Sequence, residues 1–151
     1  MQKILFVCTA NVCRSPIAQA IFNALAADEG LPFRAESAGT AALEGEPMAP
    51  NAVAVLKEVG IYPGAHRARQ VSEAMLEEAV LVLAMSPRHA ATLRLLPSQS
   101  LPEILTLPEY ATGVSDQEGI PDPHGLTIAA HRSTLRQLYE YVESAMDRLA
   151  G

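Results

Sequence analysis

The chain has 151 residues, of which 49% are hydrophobic and 19% are charged. These values are typical of a folded chain and exclude a disordered one, and the length predicts one domain over residues 1–151. Asp and Glu total 17 against 11 Lys and Arg, for a formal charge of −6. A surface of this sign repels phosphate backbones, so we expect no nucleic-acid partner. No uncharged stretch reaches the roughly 20 residues that a membrane-spanning helix needs, so we expect no membrane partner either.

The chain contains only two cysteines, Cys8 and Cys13. Two are too few for a secreted disulfide scaffold, and the N-terminal residues lack a cleavable secretory pattern. We therefore expect a protein of the reducing cytoplasm. A closed zinc site needs four ligands, which two cysteines without a second pair do not supply, so we expect no metal and no cofactor. A monomer is the simplest expectation for the oligomeric state.

The N-terminal third predicts a strand followed by a helix. Residues 4–8 form a short apolar run that is typical of a buried strand. In the helix that follows, Ser15 is predicted as the N-cap and Pro16 as the first helical residue. Apolar residues then recur every fourth position from Ile17, and Gly30 supplies a C-terminal stop.

Strands and helices alternate along the rest of the chain as well. Strands are predicted at residues 33–38, 79–85 and 103–107, and helices at 51–59, 72–78, 87–96 (capped by Ser86) and 127–149. This order predicts parallel pairing with right-handed crossovers. The expected fold is α/β, with a four-stranded parallel sheet between two layers of helices. Binding sites in such folds lie beyond the carboxyl ends of the strands.

The loop after the first predicted strand carries the strongest chemical signal. It consists of Cys8, Thr9, Ala10, Asn11, Val12, Cys13, Arg14 and Ser15. A loop between a strand and a helix N-terminus points several backbone N–H groups, and the positive end of the helix dipole, at one place. Arg14 adds a planar fork of donors that fits two phosphate oxygens. The loop is therefore predicted to bind phosphate, although it lacks the Gly-Lys pair of a Walker loop.

The same surroundings would activate Cys8 as a nucleophile. A helix N-terminus and a nearby guanidinium favour the thiolate over the thiol, and Ser15 could donate a hydrogen bond to the sulfur. The alternative is that Cys8 is an inert buried cysteine, Arg14 a surface charge and Ser15 only a cap. From the loop residues alone, the two interpretations are about equally supported.

The motif Cys8-(five residues)-Arg14-Ser15-Pro16 resembles the loop of the low-molecular-weight protein tyrosine phosphatases. Three further segments resemble the same family in the same order. They are Glu36-Ser37-Ala38-Gly39-Thr40, His66-Arg67-Ala68-Arg69-Gln70 and Pro121-Asp122-Pro123. The resemblance covers nearly the whole chain. It implies the fold deduced above and an enzyme that acts on phosphorylated protein substrates.

The resemblance implies a role for each of these residues. Cys8 would take the phosphoryl group, Arg14 would stabilise its charge, and Asp122 would be the general acid and then the general base. Without the resemblance, Asp122 would be read as a turn residue, since Asp-Pro is a common turn pair. A supporting polar network is implied at Asn11, Ser15, Ser37 and His66. Cys13 matches the second loop cysteine, so a Cys8–Cys13 disulfide could protect the nucleophile from over-oxidation; alternatively, Cys13 only packs inward.

Three predicted wall residues, Val12, Leu43 and His124, bear on substrate choice. Eukaryotic members carry aromatic residues near Asp-Pro, where this chain has His124, and glycine is usual where it has Ala10. The segments 107–113 and 122–125 look more like the bacterial branch that includes protein arginine phosphatases. Arginine-selective members have Thr at the position of Val12, so the missing hydroxyl favours phosphotyrosine, with phosphoarginine as the alternative.

Two other functions compete with the phosphatase prediction. A thioredoxin-coupled arsenate reductase on this fold would need a late resolving cysteine pair, and no cysteine follows Cys13. A non-catalytic phosphate-binding module would be expected to have lost a catalytic residue, yet Cys8, Arg14 and Asp122 are all present. Both alternatives are therefore less favoured than the enzyme.

Overall fold

The structure is a computed structural model, and it describes residues 1–115 and 118–151. Its strands are β1 (Gln2–Cys8), β2 (Phe33–Gly39), β3 (Ala79–Ala84) and β4 (Glu103–Thr106). Its helices are α1 (Arg14–Glu29), α2 (Pro50–Glu58), α3 (Glu73–Glu78), α4 (Pro87–Arg94), α5 (Leu107–Thr112) and α6 (Ile128–Ala150). Within the described ranges, no helix is both long and apolar enough to span a bilayer.

The four strands form one parallel sheet in the order β2-β1-β3-β4. Strand β1 lies inside the sheet and pairs with β2 from Gln2 opposite Phe33 to Cys8 opposite Gly39. The predicted four-stranded parallel sheet is therefore confirmed. Because parallel strands end at the same edge, the loops after β1, β2, β3 and β4 gather at one side of the molecule.

Helices cover both faces of the sheet, as predicted. Alternate side chains of β1 enter two separate cores, with Ile4 and Phe6 on one face and Leu5 and Val7 on the other. The first core packs against α1, α2, α5 and α6, and the second against α3 and α4. Each fully buried side chain of this size stabilises the fold by about 1.5–3 kcal/mol. The central strand that carries the site is thus anchored from above and below.

The start of α1 differs from the prediction. The helix begins at Arg14, and the carbonyl of Cys13 accepts its first N–H bond, from Ile17. Ser15 is therefore inside the first turn and is not the N-cap. Pro16 is the third helical residue, which is tolerated because N–H groups of the first turn have no partner within the helix. The hydroxyl of Ser15 is buried and free to serve the loop.

The region around β4 also differs. Strand β4 ends at Thr106, and Leu107 begins α5, a short helix that the sequence patterns did not predict. Thr106 caps α5 by accepting the N–H of Glu109, and Pro108 lies in its first turn. The apolar Leu107 extended the strand pattern, but its side chain instead fills the core beneath α5.

Candidate active site

The loop between β1 and α1 is held by neighbouring backbone. The N–H groups of Thr40 and Ala41 donate to the carbonyls of Cys8 and Thr9, both at 2.9 Å. Gly39 makes this approach possible, because a Cβ there would lie 2.3 Å from the carbonyl oxygen of Thr9. The segment after β2 therefore fixes the first half of the loop.

Asn11 is the centre of a buried polar network. Its Nδ2 donates to Ser15 Oγ at 2.8 Å and to Ser37 Oγ at 2.9 Å, and its Oδ1 accepts the backbone N–H of Arg69 at 3.0 Å. Nε2 of His66 lies 2.7 Å from the carbonyl oxygen of Asn11. Since a carbonyl only accepts, the His66 ring donates there. Of the four residues predicted as a supporting network, Ser15, Ser37 and His66 thus each bond to the fourth, Asn11.

The backbone of the loop explains why Asn occupies position 11. Among residues 1–115 and 118–151, Asn11 is the one non-glycine residue with a positive φ, of 60°. Asparagine tolerates this left-handed conformation better than most residues. Ala10 does not share the positive φ, so its backbone requires no glycine. The departure from the usual glycine at position 10 therefore leaves the loop conformation intact.

Cys8 lies at the floor of the loop and is 2% exposed. Its Sγ is 2.9 Å from Ser15 Oγ, which also accepts from Asn11. When Cys8 is a thiolate, only the hydroxyl of Ser15 can be the donor between the two atoms. Ser15 is thus oriented by Asn11 to stabilise negative charge on the sulfur.

The guanidinium of Arg14 is buried at the edge of the same site. Nη1 donates to the carbonyl of Ile120 at 3.1 Å, and Nη2 lies 3.4 Å from both Asp122 Oδ2 and Thr9 Oγ1. Asp122 is half exposed, and its Oδ1 accepts the backbone N–H of His124 at 3.0 Å. Asp122 therefore does lie in a turn, which its carboxylate stabilises by accepting the N–H of His124. The tertiary structure also places this carboxylate against Arg14, which the sequence does not reveal.

Cys13 is a buried thiol at the end of the loop, directly before α1. Burial, with the nearby Asp122 carboxylate, raises the pKa of Cys13 to about 12. Its Sγ lies 3.8 Å from Nε2 of His131, whose Nδ1 donates to the carbonyl of Thr127 at 2.8 Å. Cys13 is thus a protonated thiol that faces an imidazole nitrogen. Both cysteines are free in the structure, so the disulfide stays a prediction.

His89 also lies at the site, although no sequence motif indicates it. It lies in the first turn of α4, and its ring contacts Thr9 of the loop. Burial, with the positive charge of Arg14, lowers the pKa of His89 to about 4. The predicted topology was the available signal. Strand β3 ends at the same edge of the parallel sheet as β1, so residues at the start of α4 lie near Cys8.

The three predicted wall residues are more exposed than the buried residues of the Asn11 network. Val12 is partly exposed, and its carbonyl accepts the N–H of Ala49 at 2.9 Å. His124 is exposed, with Nδ1 4.0 Å from Cys13 Sγ. Leu43 is 72% exposed and lies on the segment that leaves the sheet beside Gly39. An exposed apolar side chain at this edge is available to contact a substrate.

A parallel α/β sheet with a cysteine, an arginine and an aspartate around its first strand-to-helix loop is the arrangement of a cysteine-dependent phosphatase. A family model described as low molecular weight phosphotyrosine protein phosphatase matches residues 3–151. The chain therefore belongs to the low-molecular-weight protein tyrosine phosphatase family, whose members are cysteine-dependent phosphatases that act on phosphorylated proteins.

Individual relatives fall into both activity classes. A protein-arginine-phosphatase of Bacillus subtilis is 35% identical over 146 residues, which cover 97% of this chain and 95% of that protein. A low molecular weight protein-tyrosine-phosphatase of Streptomyces coelicolor is 36% identical over 149 residues, covering 95% and 88%. The crystal structure of such a tyrosine phosphatase from T. tengcongensis has a TM-score of 0.90 at 36% identity and covers 98% and 99% of the two chains.

Proposed function

We propose that this chain hydrolyses phosphotyrosine in proteins by way of a phosphocysteine on Cys8. The observation that carries the proposal is the convergence of Cys8, Arg14 and Asp122 at the carboxyl end of β1. The side chain of Asp122 reaches Arg14 across 108 positions of the chain, with Oδ2 3.4 Å from Nη2. This proximity places the carboxyl group of Asp122 next to the guanidinium that would hold the phosphate ester, within reach of a bound leaving group.

In the first step, the thiolate of Cys8 attacks phosphorus and the bond from phosphorus to the phenolic oxygen breaks. Protonated Asp122 gives its proton to that oxygen, so tyrosine leaves as a neutral phenol. The backbone N–H groups of the loop and the guanidinium of Arg14 stabilise the charge on the equatorial oxygens.

In the second step, water attacks the phosphocysteine. Asp122, now a carboxylate, takes a proton from the water, the sulfur–phosphorus bond breaks, and inorganic phosphate is released. Cys8 leaves as a thiolate, and the hydroxyl of Ser15, 2.9 Å away, stabilises it. The supporting network around Asn11 keeps the loop in one conformation throughout.

The test is turnover of an aryl phosphate together with rapid-quench mass spectrometry. The wild type should show one covalently bound phosphoryl group on Cys8, and Cys8→Ser should abolish turnover. Asp122→Asn should lower kcat by about 10²–10⁴-fold, the usual contribution of a general acid and base. Cys13→Ser is the matched control and should still form phosphocysteine at Cys8. Wild-type turnover by Cys8→Ser would overturn the mechanism.

Phosphoarginine is the second candidate substrate, because an arginine phosphatase is among the relatives of similar identity. The deciding experiment compares kcat/KM on matched phosphotyrosine and phosphoarginine peptides. We expect phosphotyrosine to be preferred, and Val12→Thr, which adds one hydroxyl to the wall, to shift the ratio toward phosphoarginine. A tenfold preference of the wild type for phosphoarginine, about 1.4 kcal/mol, would reverse the ranking.

We also propose that the protein acts as a monomer in the cytoplasm. The first part is tested by multi-angle light scattering at micromolar concentration, where the mass should be that of one 16.1 kDa chain. The second is tested by fractionation of the producing cells, with the activity expected in the cytoplasmic fraction.

A further inference from the structure

We propose that His89 is a positioning residue for phosphoryl transfer, which acts through the hydroxyl of Thr9 to hold the guanidinium of Arg14. The inference rests on the proposed function, since it assigns His89 a part in the reaction at Cys8. The ring of His89 hydrogen-bonds to Ser86 and Thr9, so its effect on Arg14 passes through the Thr9 hydroxyl.

The ring of His89 is held at both nitrogens. Nδ1 lies 2.7 Å from Ser86 Oγ, and Nε2 lies 2.7 Å from Thr9 Oγ1. Only 7% of the residue is exposed. The backbone N–H of His89 also donates to Ser86 Oγ, at 3.3 Å, as part of the α4 cap. A ring bound at both ends cannot turn without breaking a short hydrogen bond, so it presents a fixed Nε2 to the loop.

The arginine fixes the direction of the first hydrogen bond in this series. A guanidinium only donates, so Thr9 Oγ1 accepts from Arg14 Nη2, at 3.4 Å. The Thr9 hydroxyl still has its own proton to donate, and we assign that proton to His89 Nε2 as the acceptor. In this tautomer Nδ1 carries the ring proton and donates to Ser86. The lowered pKa of His89 agrees with this neutral imidazole.

The chain of contacts from Ser86 through His89 and Thr9 to Arg14 carries no charge of its own. Asp122 is also a side-chain partner of Arg14, and it is half exposed and exchanges its proton in the proposed reaction. A protonated Asp122 no longer forms an ion pair, whereas the Thr9 contact does not depend on that proton. These uncharged hydrogen bonds thus orient the guanidinium at every step. They leave its positive charge available to stabilise the phosphoryl group.

The test separates positioning from a purely structural role by comparing variants at both ends of the Thr9–His89 bond. Thr9→Val keeps the side-chain shape and removes the hydroxyl, and Thr9→Ser restores the hydroxyl. His89→Gln can place an amide oxygen where Nε2 accepts, whereas His89→Ala cannot. Ser72→Ala is the matched control, because Ser72 caps α3 by accepting from Met75, away from the loop.

We expect Thr9→Val and His89→Ala each to lower kcat about tenfold, with a smaller change in KM, and to weaken vanadate inhibition. Thr9→Ser should stay near the wild type, and His89→Gln should recover part of the loss. The double variant Thr9→Val/His89→Ala should be no slower than the slower single variant, because both substitutions break the same Thr9–His89 hydrogen bond. Ser72→Ala should lower the unfolding midpoint without changing kcat.

Two results would overturn the inference. One is a kcat of Thr9→Val equal to that of the wild type. The Thr9→Val variant is expected to fold even if His89→Ala does not. The other is losses that multiply in the double variant, which would show independent roles for Thr9 and His89. Failure of the proposed function would look different, since the wild type itself would then fail to turn over an aryl phosphate.

Discussion

Asn11 and Arg69 are 58 positions apart in the chain, and the backbone N–H of Arg69 donates to Oδ1 of Asn11 at 3.0 Å. Nε of Arg69 in turn donates to the carbonyl of Ser37, also at 3.0 Å. The segment that contains Arg69 therefore closes over the loop and ties it to the end of β2. The loop conformation is thus set by tertiary contacts and not by its own eight residues.

Replacing Asn11 by alanine should damage both activity and stability. The change removes the amide that donates to the hydroxyls of Ser15 and Ser37 and the oxygen that accepts the N–H of Arg69, and a buried polar group left unsatisfied costs about 1–3 kcal/mol. It also puts a less tolerant residue at a φ of 60°. We expect kcat to fall by at least tenfold and the free energy of unfolding to fall, measured by aryl phosphate turnover and urea titration.

Asn23→Ala is the matched control for that variant. Asn23 also holds backbone with its carboxamide, since it bonds the N–H and carbonyl of Ala35 at 2.8 and 3.1 Å. That site lies at the other end of β2, away from the loop. Asn23→Ala should therefore lower stability and leave kcat unchanged, and equal losses of kcat in both variants would contradict a specific role for Asn11.

Gly39→Ala should disrupt the loop through a steric clash. A Cβ at this position would meet the carbonyl oxygen of Thr9 at 2.3 Å, and backbone cannot give way as a flexible side chain can. We expect a loss of about 1–3 kcal/mol in stability, typical of overpacking, together with a fall in kcat. In Gly64→Ala, where φ is +72° and the new Cβ meets nothing within 4 Å, stability alone should fall. Full activity of Gly39→Ala would show that the loop can move away from β2.

Mild peroxide should produce a Cys8–Cys13 disulfide that reductant reverses. Peroxide first oxidises the Cys8 sulfur to a sulfenic acid, and the sulfur of Cys13 then displaces its hydroxyl group, which leaves as water. Because burial raises the pKa of Cys13 to about 12, its thiol must lose a proton during this attack, and Nε2 of His131, 3.8 Å away, is placed to accept it. Peptide mass spectrometry after peroxide should show the internal disulfide in the wild type and sulfinic acid at Cys8 in Cys13→Ser. Sulfinic acid as the main product in the wild type would count against protection.

Stability should fall on mild acidification because of His89 and His66. Burial lowers the pKa of both imidazoles below 6.5, to about 4 for His89, where Arg14 and Arg88 add to the lowering and Asp122 opposes it. Below about pH 6.5 these histidines bind protons in the unfolded chain before they do so in the folded protein. Their contribution to the free energy of unfolding is therefore fully present above about pH 6.5 and is lost as the pH falls toward about 4. Urea midpoints at pH 7.5 and 5 should differ less in His89→Gln than in the wild type, and an equal difference would exclude His89 as a source of the decline.

Much of the fold could be predicted from the sequence because its signals are local. Gly30 ends α1 with a φ of 64°, and Ser86 caps α4 by accepting the backbone N–H of His89, both as predicted. The buried runs of β1 and β3 are also local patterns. Leu107 was misassigned because a short apolar run does not distinguish a strand end from the start of a helix.

The sequence by itself determined the alternation of strands and helices, and with it the parallel sheet and the position of the loop that carries Cys8 and Arg14. The tertiary structure decided which distant side chains meet that loop. Sequence patterns predict a turn residue at Asp122 and a helix cap at Ser15. In the structure, Asp122 lies against Arg14, and Asn11 holds the hydroxyl of Ser15 beside Cys8. His89 carries no motif at all. Hydrogen bonds between residues far apart in the chain depend on how the layers of the fold pack. The periodicity of apolar residues does not specify that packing, so it cannot show which distant side chains meet.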